Sequence, residues 1–378
     1  MRKVAVIGVG MTKFGKLIGQ SIEELGVRAA WDAIKDAGIN PKDIQIAYCG
    51  NVIVARDVIG QAILKDVGIN QIPITRVEDA CASGSCALRE AWLAIMSGLY
   101  DIALALGVEK LTEQGPSPLS YKDRSIEAMV GFQPAGWWAM RAQKHMEKYG
   151  TTIEQLAKIS VKNHANGCLN PRSQYQKKFT VDDVLQSPMV AEPLTLFQAT
   201  PISDGGAAAI LCSEEVAKKY TTKPIYIAAS ALTSGNFEQQ GDLTINDLER
   251  RCSKQAYEMA GIGPEDLDFA EVHDCFTIAE IVRCENLGFC KPGEYTKALD
   301  EGRWDLGSAF PINPSGGLLS KGHPIGATGV AQICELVWHL RGEAGERQVA
   351  NAKVALGHCS GGTVAGDNAA CAVHILKR

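Results

Sequence analysis

The chain repeats itself, and the two copies carry different reactive groups at the same place. Residues 79–95 and residues 321–336 each read as a glycine-containing turn that runs into a helical pattern. Aligning Gly84 with Gly326 places Cys81 opposite His323. Two related halves packed together would therefore present a thiol and an imidazole to each other, each at the start of a helix. This is a common arrangement of a thiolate nucleophile and its base.

The repeat extends well beyond this pair of turns. Residues 37–47 recur as residues 260–270, with six of the eleven positions identical. Ala103 aligns with Lys353, 250 positions later, whereas Asp204 aligns with Asp367, only 163 positions later. The first copy therefore holds 87 extra residues between these two points. We predict a first half of residues 1–109 and 201–222, an inserted lid or loop domain of residues 110–200, and a second half of residues 223–378. The insertion is interpreted either as a lid over the reactive turns or as a surface segment available for contact with a second subunit of a dimer.

Composition and charge exclude several classes of function. The net charge of −5 and the pI of about 5.9 argue against binding to nucleic acid or to an anionic membrane. The first eight residues are too short an apolar run for a signal peptide, and no apolar stretch reaches the length of about eighteen residues that a membrane span needs. The twelve cysteines form no Cys-x-x-Cys pair, which favours reduced thiols over a disulfide framework or a zinc site. These features predict a cytoplasmic protein.

Strand patterns alternate with amphipathic helical patterns along the chain, which predicts an α/β fold with mainly parallel sheets. Residues 4–7 are predicted as the first strand, and residues 224–229 restart the pattern in the second half. Ser21 to Glu24 form a capping box that opens a helix ending near Gly38. Each half is expected to form one βαβαβ layer.

Cys81 lies between a predicted strand and a predicted helix, beside small residues that leave a thiol accessible. An ordinary cysteine, with a pKa of about 8.5, is only a few per cent thiolate at neutral pH. A helix N-terminus contributes about 0.3–1 kcal/mol, which is less than one pKa unit. A base or cation must therefore assist, and His323 is the predicted one. The alternative interpretation of Cys81 is a buried structural thiol.

The second half offers two more histidine and cysteine pairs after predicted strands. His273 and Cys275 follow the strand that ends near Glu271, and His358 and Cys359 follow the strand that ends at Gly357. Because α/β sheets bind their ligands at such strand ends, both segments are candidates for the site.

These loops together resemble those of the thiolase superfamily, particularly sterol-carrier-protein-type thiolases and archaeal and bacterial acetyl-CoA acetyltransferases that work with a zinc-ribbon and OB-fold partner. The motifs are the turn of Cys81, the His-Asp-Cys-Phe segment at residues 273–276, and the Gly-His-Pro-Ile-Gly-Ala-Thr-Gly segment at residues 322–329. The resemblance covers essentially the whole chain. It implies two similar halves in a five-layered αβαβα fold with a loop insertion in the first half, a homodimer or dimer of dimers, and coenzyme A thioesters as substrates. It implies no metal and no permanently bound cofactor; coenzyme A is substrate or product.

The resemblance also implies a role for each matching residue. Cys81 would be the acylated nucleophile, and His323 the group that activates it. The backbone N–H groups of Cys81 and Gly361 would form one oxyanion hole, while His323 and His273 would polarise a second thioester oxygen. The acid/base cysteine is either Cys359 or Cys275, because both family patterns are present. Cys359 is favoured, since its loop also supplies Gly361.

The predicted activity is thiolytic cleavage or Claisen condensation of a 3-oxoacyl-CoA through an acyl-cysteine intermediate. The alternatives are a condensing enzyme or retro-aldolase of the same fold, or a non-catalytic acyl-CoA-binding subunit. Acetoacetyl-CoA and a bulkier or aryl 3-oxoacyl-CoA are equally compatible with the sequence. Four residues of the insertion are interpreted either as lining the acyl pocket or as core or dimer contacts: Phe132, Trp137, Trp138 and Met140.

Overall fold

The computed structural model describes residues 2–54, 56–115, 129, 131, 133–221, 223–237, 241–364 and 367–378. The strands are β1 Val4–Met11, β2 Ile46–Gly50, β3 Ile74–Val77, β4 Ile102–Lys110, β5 Met189–Ala191, β6 Leu194–Thr195, β7 Asp204–Ser213, β8 Ile225–Ser234, β9 Phe269–Glu271, β10 Val354–Val364 and β11 Asp367–Lys377. The helices are α1 Ile22–Ala37, α2 Ile59–Val67, α3 Ser83–Met96, α4 Pro134–Tyr149, α5 Ile153–Cys168, α6 Val181–Leu185, α7 Glu214–Tyr220, α8 Asp247–Ala260, α9 Thr277–Asn286, α10 Tyr295–Asp300, α11 Gly317–Lys321 and α12 Ile325–Arg341.

The capping box predicted for the first helix is confirmed. The Ser21 side chain accepts a hydrogen bond from the Glu24 backbone, and the Glu24 carboxylate accepts one from the Ser21 backbone. Gly38 ends the helix in a left-handed conformation, at φ 67°, which glycine adopts without a steric penalty. Within the described residues, no helix is both long and apolar enough to cross a bilayer.

Counted from the middle of the main sheet outward, equivalent strands of the two halves follow the same order. In the main sheet the order is β3, β2, β4, β7, β1 in the first half and then β8, β11, β10, β9 in the second. A bridge between Ala270 and Ile312 stands where the first half has β3. The duplicated sequence therefore corresponds to a duplicated topology.

The prediction of mainly parallel sheets is wrong, because most of the strand pairs in the main sheet are antiparallel. β2 pairs in parallel with β3 and β4, and β9 with β10, but β7 and β11 run antiparallel to both of their neighbours. The reason is clearest in the second half, where only residues 365 and 366 separate β10 from β11. So short a connection can form only a hairpin, and a hairpin is antiparallel.

Five layers are arranged around a central helical layer formed by α3 and α12. α1 and α2 cover the outer face of the first-half strands, and α8 and α9 cover that of the second half. α3 and α12 pack against each other between the two sets of strands, where glycines permit close approach. A Cβ atom at Gly84 would lie 2.8 Å from the Gly326 carbonyl oxygen. The five-layered fold implied by the resemblance is thereby confirmed.

The inserted segment leaves the first half after β4 and returns to it with β7. It contains α4 to α6 and the short β5–β6 hairpin. Its helix α5 packs on α9, α10 and α11 of the second half. Since α11 ends at Lys321, two residues before His323, the insertion supports the loop that carries this histidine.

Candidate active site

Cys81 lies in a tight turn, two residues before α3 begins at Ser83. Ala80 adopts a left-handed conformation at φ 48°, which costs a non-glycine residue roughly 1–2 kcal/mol. The Ser83 hydroxyl holds this turn, because it accepts a hydrogen bond from the Asp79 backbone at 2.8 Å and donates one to the Ala80 carbonyl at 2.6 Å. The turn leaves the Cys81 side chain partly exposed.

His323 occupies the equivalent position in the second half, two residues before α12 begins at Ile325. Its backbone N–H donates to the Ser203 hydroxyl at 3.1 Å, and that hydroxyl donates to the side-chain amide oxygen Oε1 of Gln174 at 2.6 Å. Gly322, at φ 107°, allows this contact, because a Cβ atom there would lie 2.5 Å from the Ser203 hydroxyl. The insertion and β7 together hold the histidine in place.

A threonine sets the protonation of the His323 ring. Nδ1 lies 2.7 Å from the Thr328 hydroxyl, and that hydroxyl donates its single hydrogen to the Pro324 carbonyl at 3.0 Å. We assign the proton to Nδ1, which then donates to the Thr328 hydroxyl, so that Nε2 carries the lone pair. Nε2 is buried and has no hydrogen-bond partner among the described residues. An unpartnered imidazole lone pair can accept the proton of a nearby thiol.

The structure brings Cys81, His323 and His273 together. One donor atom of each, the sulfur and a ring nitrogen of each histidine, lies within 4.8 Å of the other two. The two imidazole rings meet edge to face, with centroids 4.8 Å apart. A cysteine and a histidine 242 positions apart in the chain therefore share one site.

Cys359 lies beside this group. Its thiol donates to the Cys81 carbonyl oxygen at 2.9 Å and lies 3.3 Å from Nδ1 of His273. Nδ1 also accepts the Ser360 backbone N–H at 3.4 Å. Since Nδ1 acts as an acceptor, the proton of the neutral His273 ring is on Nε2.

The expectation that Cys359 follows the end of a strand is wrong. β10 continues to Val364, so Cys359 and Gly361 lie inside it, paired with Ala372 and Ala370 of β11. The hairpin with β11 keeps this glycine-rich stretch extended, although its composition disfavours a strand. By contrast, His273 and Cys275 do follow the end of β9.

Gly361 is in direct contact with the turn that carries Cys81. A Cβ atom at this position would lie 2.4 Å from the Cys81 backbone nitrogen and 2.6 Å from its Cβ. Only glycine allows the two backbones to approach so closely. The backbone of Gly361 is therefore positioned beside that of Cys81.

Cys275 is also near Cys81, but a buried cation engages it. The Arg283 guanidinium lies 3.7 Å from the Cys275 sulfur, donates to the His273 carbonyl oxygen, and pairs with Glu249 at 3.1 Å. Sequence reasoning assigned no role to Arg283, nor to Thr328, Ser203 or Gln174. A signal for Arg283 exists, because α9 is buried on all sides and still carries charged residues.

Burial sets the protonation of the reactive groups. It raises the pKa of Cys81 well above its ordinary value, and the neighbouring thiols of Cys359 and Cys275 raise it further. Burial also lowers the pKa of His323 to about 3, with an added contribution from the Arg283 charge, and lowers that of His273 well below its ordinary value. At neutral pH the resting pair is therefore a thiol and a neutral imidazole, and the same shifts oppose proton transfer between them before a substrate is attacked.

The residues predicted to line an acyl pocket differ in their exposure to solvent. Trp138 is buried, with its ring 6.3 Å from that of Phe276 and 5.0 Å from the Arg283 guanidinium. Trp137 is partly buried near it, whereas Met140 is 43% exposed. Phe132 lies outside the described residues.

Comparison with known proteins places the whole chain among related sequences. The profile of "Thiolase, N-terminal domain" matches residues 4–215, and that of "Thiolase C-terminal domain-like" matches residues 229–378. An acetyl-CoA acetyltransferase of Methanothermobacter thermautotrophicus is 45% identical over the full length of both proteins. The benzoylsuccinyl-CoA thiolase subunit BbsB of Thauera aromatica is 40% identical over 96% of this chain and 95% of that protein. The solved Ltp2–ChsH2(DUF35) aldolase superposes with a TM-score of 0.87 at 26% identity, covering 98% of this chain and 97% of that one.

Proposed function

This chain belongs to the thiolase family, and we propose that Cys81 and His323 are the nucleophile and base of its reaction. The enzyme is a thiolase-type acyltransferase. The observation that carries the assignment is the unpartnered, unprotonated Nε2 of His323, whose ring shares a site with the Cys81 sulfur.

Acylation begins with a proton transfer within this pair. His323 Nε2 accepts the Cys81 proton as the sulfur attacks the 3-oxo carbon of the substrate. Negative charge then develops on the former carbonyl oxygen. The backbone N–H groups of Cys81 and Gly361, whose backbones are in close contact, are proposed to stabilise that charge. Collapse of this intermediate breaks the bond between the second and third acyl carbons and leaves the acyl group on Cys81.

The departing fragment is an enolate of a coenzyme A thioester. His323 now carries a proton on Nε2, and His273 carries one on its own Nε2, so both rings can donate to the enolate oxygen. The base of the first step thus becomes a donor in the second. This order of proton transfers requires both histidines to be neutral in the resting state. His323 becomes charged only when it takes the proton of Cys81.

We assign the acid/base role to Cys359. Burial raises its pKa to about 12, so it is protonated at neutral pH and can deliver a proton to the enolate carbon. The resulting thiolate then takes the proton of the incoming coenzyme A thiol, whose sulfur attacks the acyl group. The Cys81 sulfur leaves and regains its proton from His323 Nε2. Cys275, held against Arg283, is proposed to contribute to the structure of the site instead.

Separate alanine variants of Cys359 and Cys275 distinguish the two assignments. Cys359→Ala is expected to lower α-proton exchange of acetyl-CoA by about 10²–10⁴-fold, the usual contribution of a positioned acid or base. Cys275→Ala is the matched control and is expected to change the exchange rate far less. Exchange is measured by deuterium incorporation at the α-carbon. Normal exchange in Cys359→Ala would show that the assignment is wrong.

A short-chain 3-oxoacyl-CoA, acetoacetyl-CoA in the first instance, is the proposed substrate. The full-length relative at 45% identity is an acetyl-CoA acetyltransferase. The relative named for benzoylsuccinyl-CoA is 40% identical, which keeps a bulkier aryl 3-oxoacyl-CoA as the second candidate.

A panel of 3-oxoacyl-CoA thioesters tests this proposal. The purified chain is incubated with coenzyme A and each substrate, and the two acyl-CoA products are quantified. We expect the highest kcat/KM for acetoacetyl-CoA. A preference for aryl substrates would favour the second candidate, and cleavage that needs no coenzyme A would favour the retro-aldolase alternative.

Assembly and location complete the proposal. β3 is the end strand of the main sheet, with Thr75 and Arg76 exposed, and such an edge suits pairing with a second copy in a homodimer or dimer of dimers. The match to an aldolase solved together with a DUF35 protein supports a small zinc-ribbon and OB-fold partner. We propose a cytoplasmic location, where a nucleophilic thiol stays reduced.

A further inference from the structure

Cys81, His273 and His323 present one sulfur and two nitrogen donors within 4.8 Å of one another. In a tetrahedral zinc site the metal lies about 2.3 Å from sulfur and about 2.0–2.1 Å from nitrogen, which places the ligand atoms about 3.5 Å apart. The three side chains therefore need to approach by only about 1 Å to share one ion.

The donors are available as well as close. Nε2 of His323 is buried, carries its lone pair toward the site and has no hydrogen-bond partner among the described residues. Its other nitrogen is held by Thr328, and an outer contact of this kind typically orients a metal-binding histidine. For His273 to bind through Nε2, its proton must move to Nδ1, which then faces the Cys359 sulfur at 3.3 Å and gives up the 3.4 Å hydrogen bond from the Ser360 backbone N–H.

We propose that Cys81, His273 and His323 form a binding site for a thiophilic divalent cation, such as Zn²⁺ or Cd²⁺, and that this cation inhibits the enzyme. One thiolate and two imidazoles favour such ions over Mg²⁺ or Ca²⁺, which prefer oxygen ligands. Binding replaces the Cys81 proton with the metal, so one sulfur–metal bond forms and one proton is released to solvent. A fourth position stays open to water.

Occupation of this site and acyl transfer exclude each other. The metal holds the sulfur that attacks the substrate and the nitrogen that accepts its proton. An acylated Cys81 is a thioester without an anionic sulfur, so acylation should protect the site from the metal. The positive charge of the buried Arg283 guanidinium also acts on Cys81 and His323, which weakens the affinity of this site for a cation.

Cadmium titration of the full-length, chelator-treated chain tests the site without any substrate. Binding is followed by the ultraviolet thiolate-to-cadmium absorption and by equilibrium dialysis. The wild type is expected to bind one equivalent more than Cys81→Ser. His323→Ala keeps the Cys81 thiol but should bind this additional cadmium ion at least about 10-fold more weakly. Loss of a residue that only orients a metal ligand already weakens binding by about 10-fold or more, and His323 is proposed as a ligand itself. Cys168→Ser, at a partly exposed thiol in α5, is the control and should match the wild type.

A second measurement follows alkylation of Cys81 by iodoacetamide, with peptide mass spectrometry. Bound Cd²⁺ or Zn²⁺ should block the reaction at Cys81, and a chelator should restore it. Equal stoichiometry in the wild type and Cys81→Ser, or unchanged affinity in His323→Ala, would overturn the proposal. Because neither measurement involves turnover, such a result would leave the proposed acyl-transfer function untouched.

Discussion

Replacement of Cys81 by alanine is expected to remove the acyl-enzyme and to lower thiolytic kcat by roughly 10⁵–10⁶-fold, the scale seen when a covalent nucleophile is lost. The physical reason is that this sulfur is the one positioned beside the lone pair of His323 Nε2. Incubation with acetyl-CoA followed by mass spectrometry should show an acetyl group on the peptide containing Cys81 in the wild type. The same peptide of the variant should carry none.

The matched control for this experiment is Cys168→Ala, which removes a partly exposed thiol in α5 and should retain both the adduct and the rate. An adduct that persists in Cys81→Ala would place the nucleophile elsewhere. Full carbon–carbon cleavage by Cys81→Ala without any adduct would instead identify the retro-aldolase reaction.

The second large effect is expected at a residue without a side chain. Gly361→Ala would place a Cβ atom 2.4 Å from the Cys81 backbone nitrogen, so β10 and the turn of Cys81 must move apart, which would displace the N–H groups of the proposed oxyanion hole. Loss of one oxyanion donor typically costs about 10²–10³ in kcat. We expect a decrease of that size with a smaller change in KM, because the lost interaction forms mainly in the transition state.

Gly357→Ala is the control for this variant because it lies on the same strand, β10. Its added Cβ would meet the Leu336 side chain at 3.3 Å, a contact that a flexible methyl group can relieve. Thermal unfolding of both variants measures any general loss of stability. Equal losses of kcat in the two variants, or normal turnover in Gly361→Ala, would contradict the proposed oxyanion hole.

The repeat in the sequence predicted two similar halves and the meeting of Cys81 with His323, whereas the five-layered arrangement was implied by the family resemblance. Equivalent positions of a duplicated unit meet when the two copies pack symmetrically, and both residues precede a central helix by two positions. Helix starts are marked locally by turn residues and by hydrophobic periodicity, so they are readable without a structure. The directions of β7 and β11 were missed because strand pairing depends on connection geometry, which composition does not encode.

The sequence by itself determined that two similar α/β halves exist, which residues begin their central helices, and hence which thiol faces which imidazole. Only the tertiary structure decided that Thr328 occupies Nδ1 of His323 and leaves Nε2 without a partner among the described residues, that Gly361 contacts the backbone of Cys81, and that Arg283 lies buried beneath the site. The first set follows from patterns repeated along the chain. The second depends on distances of a few ångströms between segments that are remote in sequence, and packing alone sets those distances.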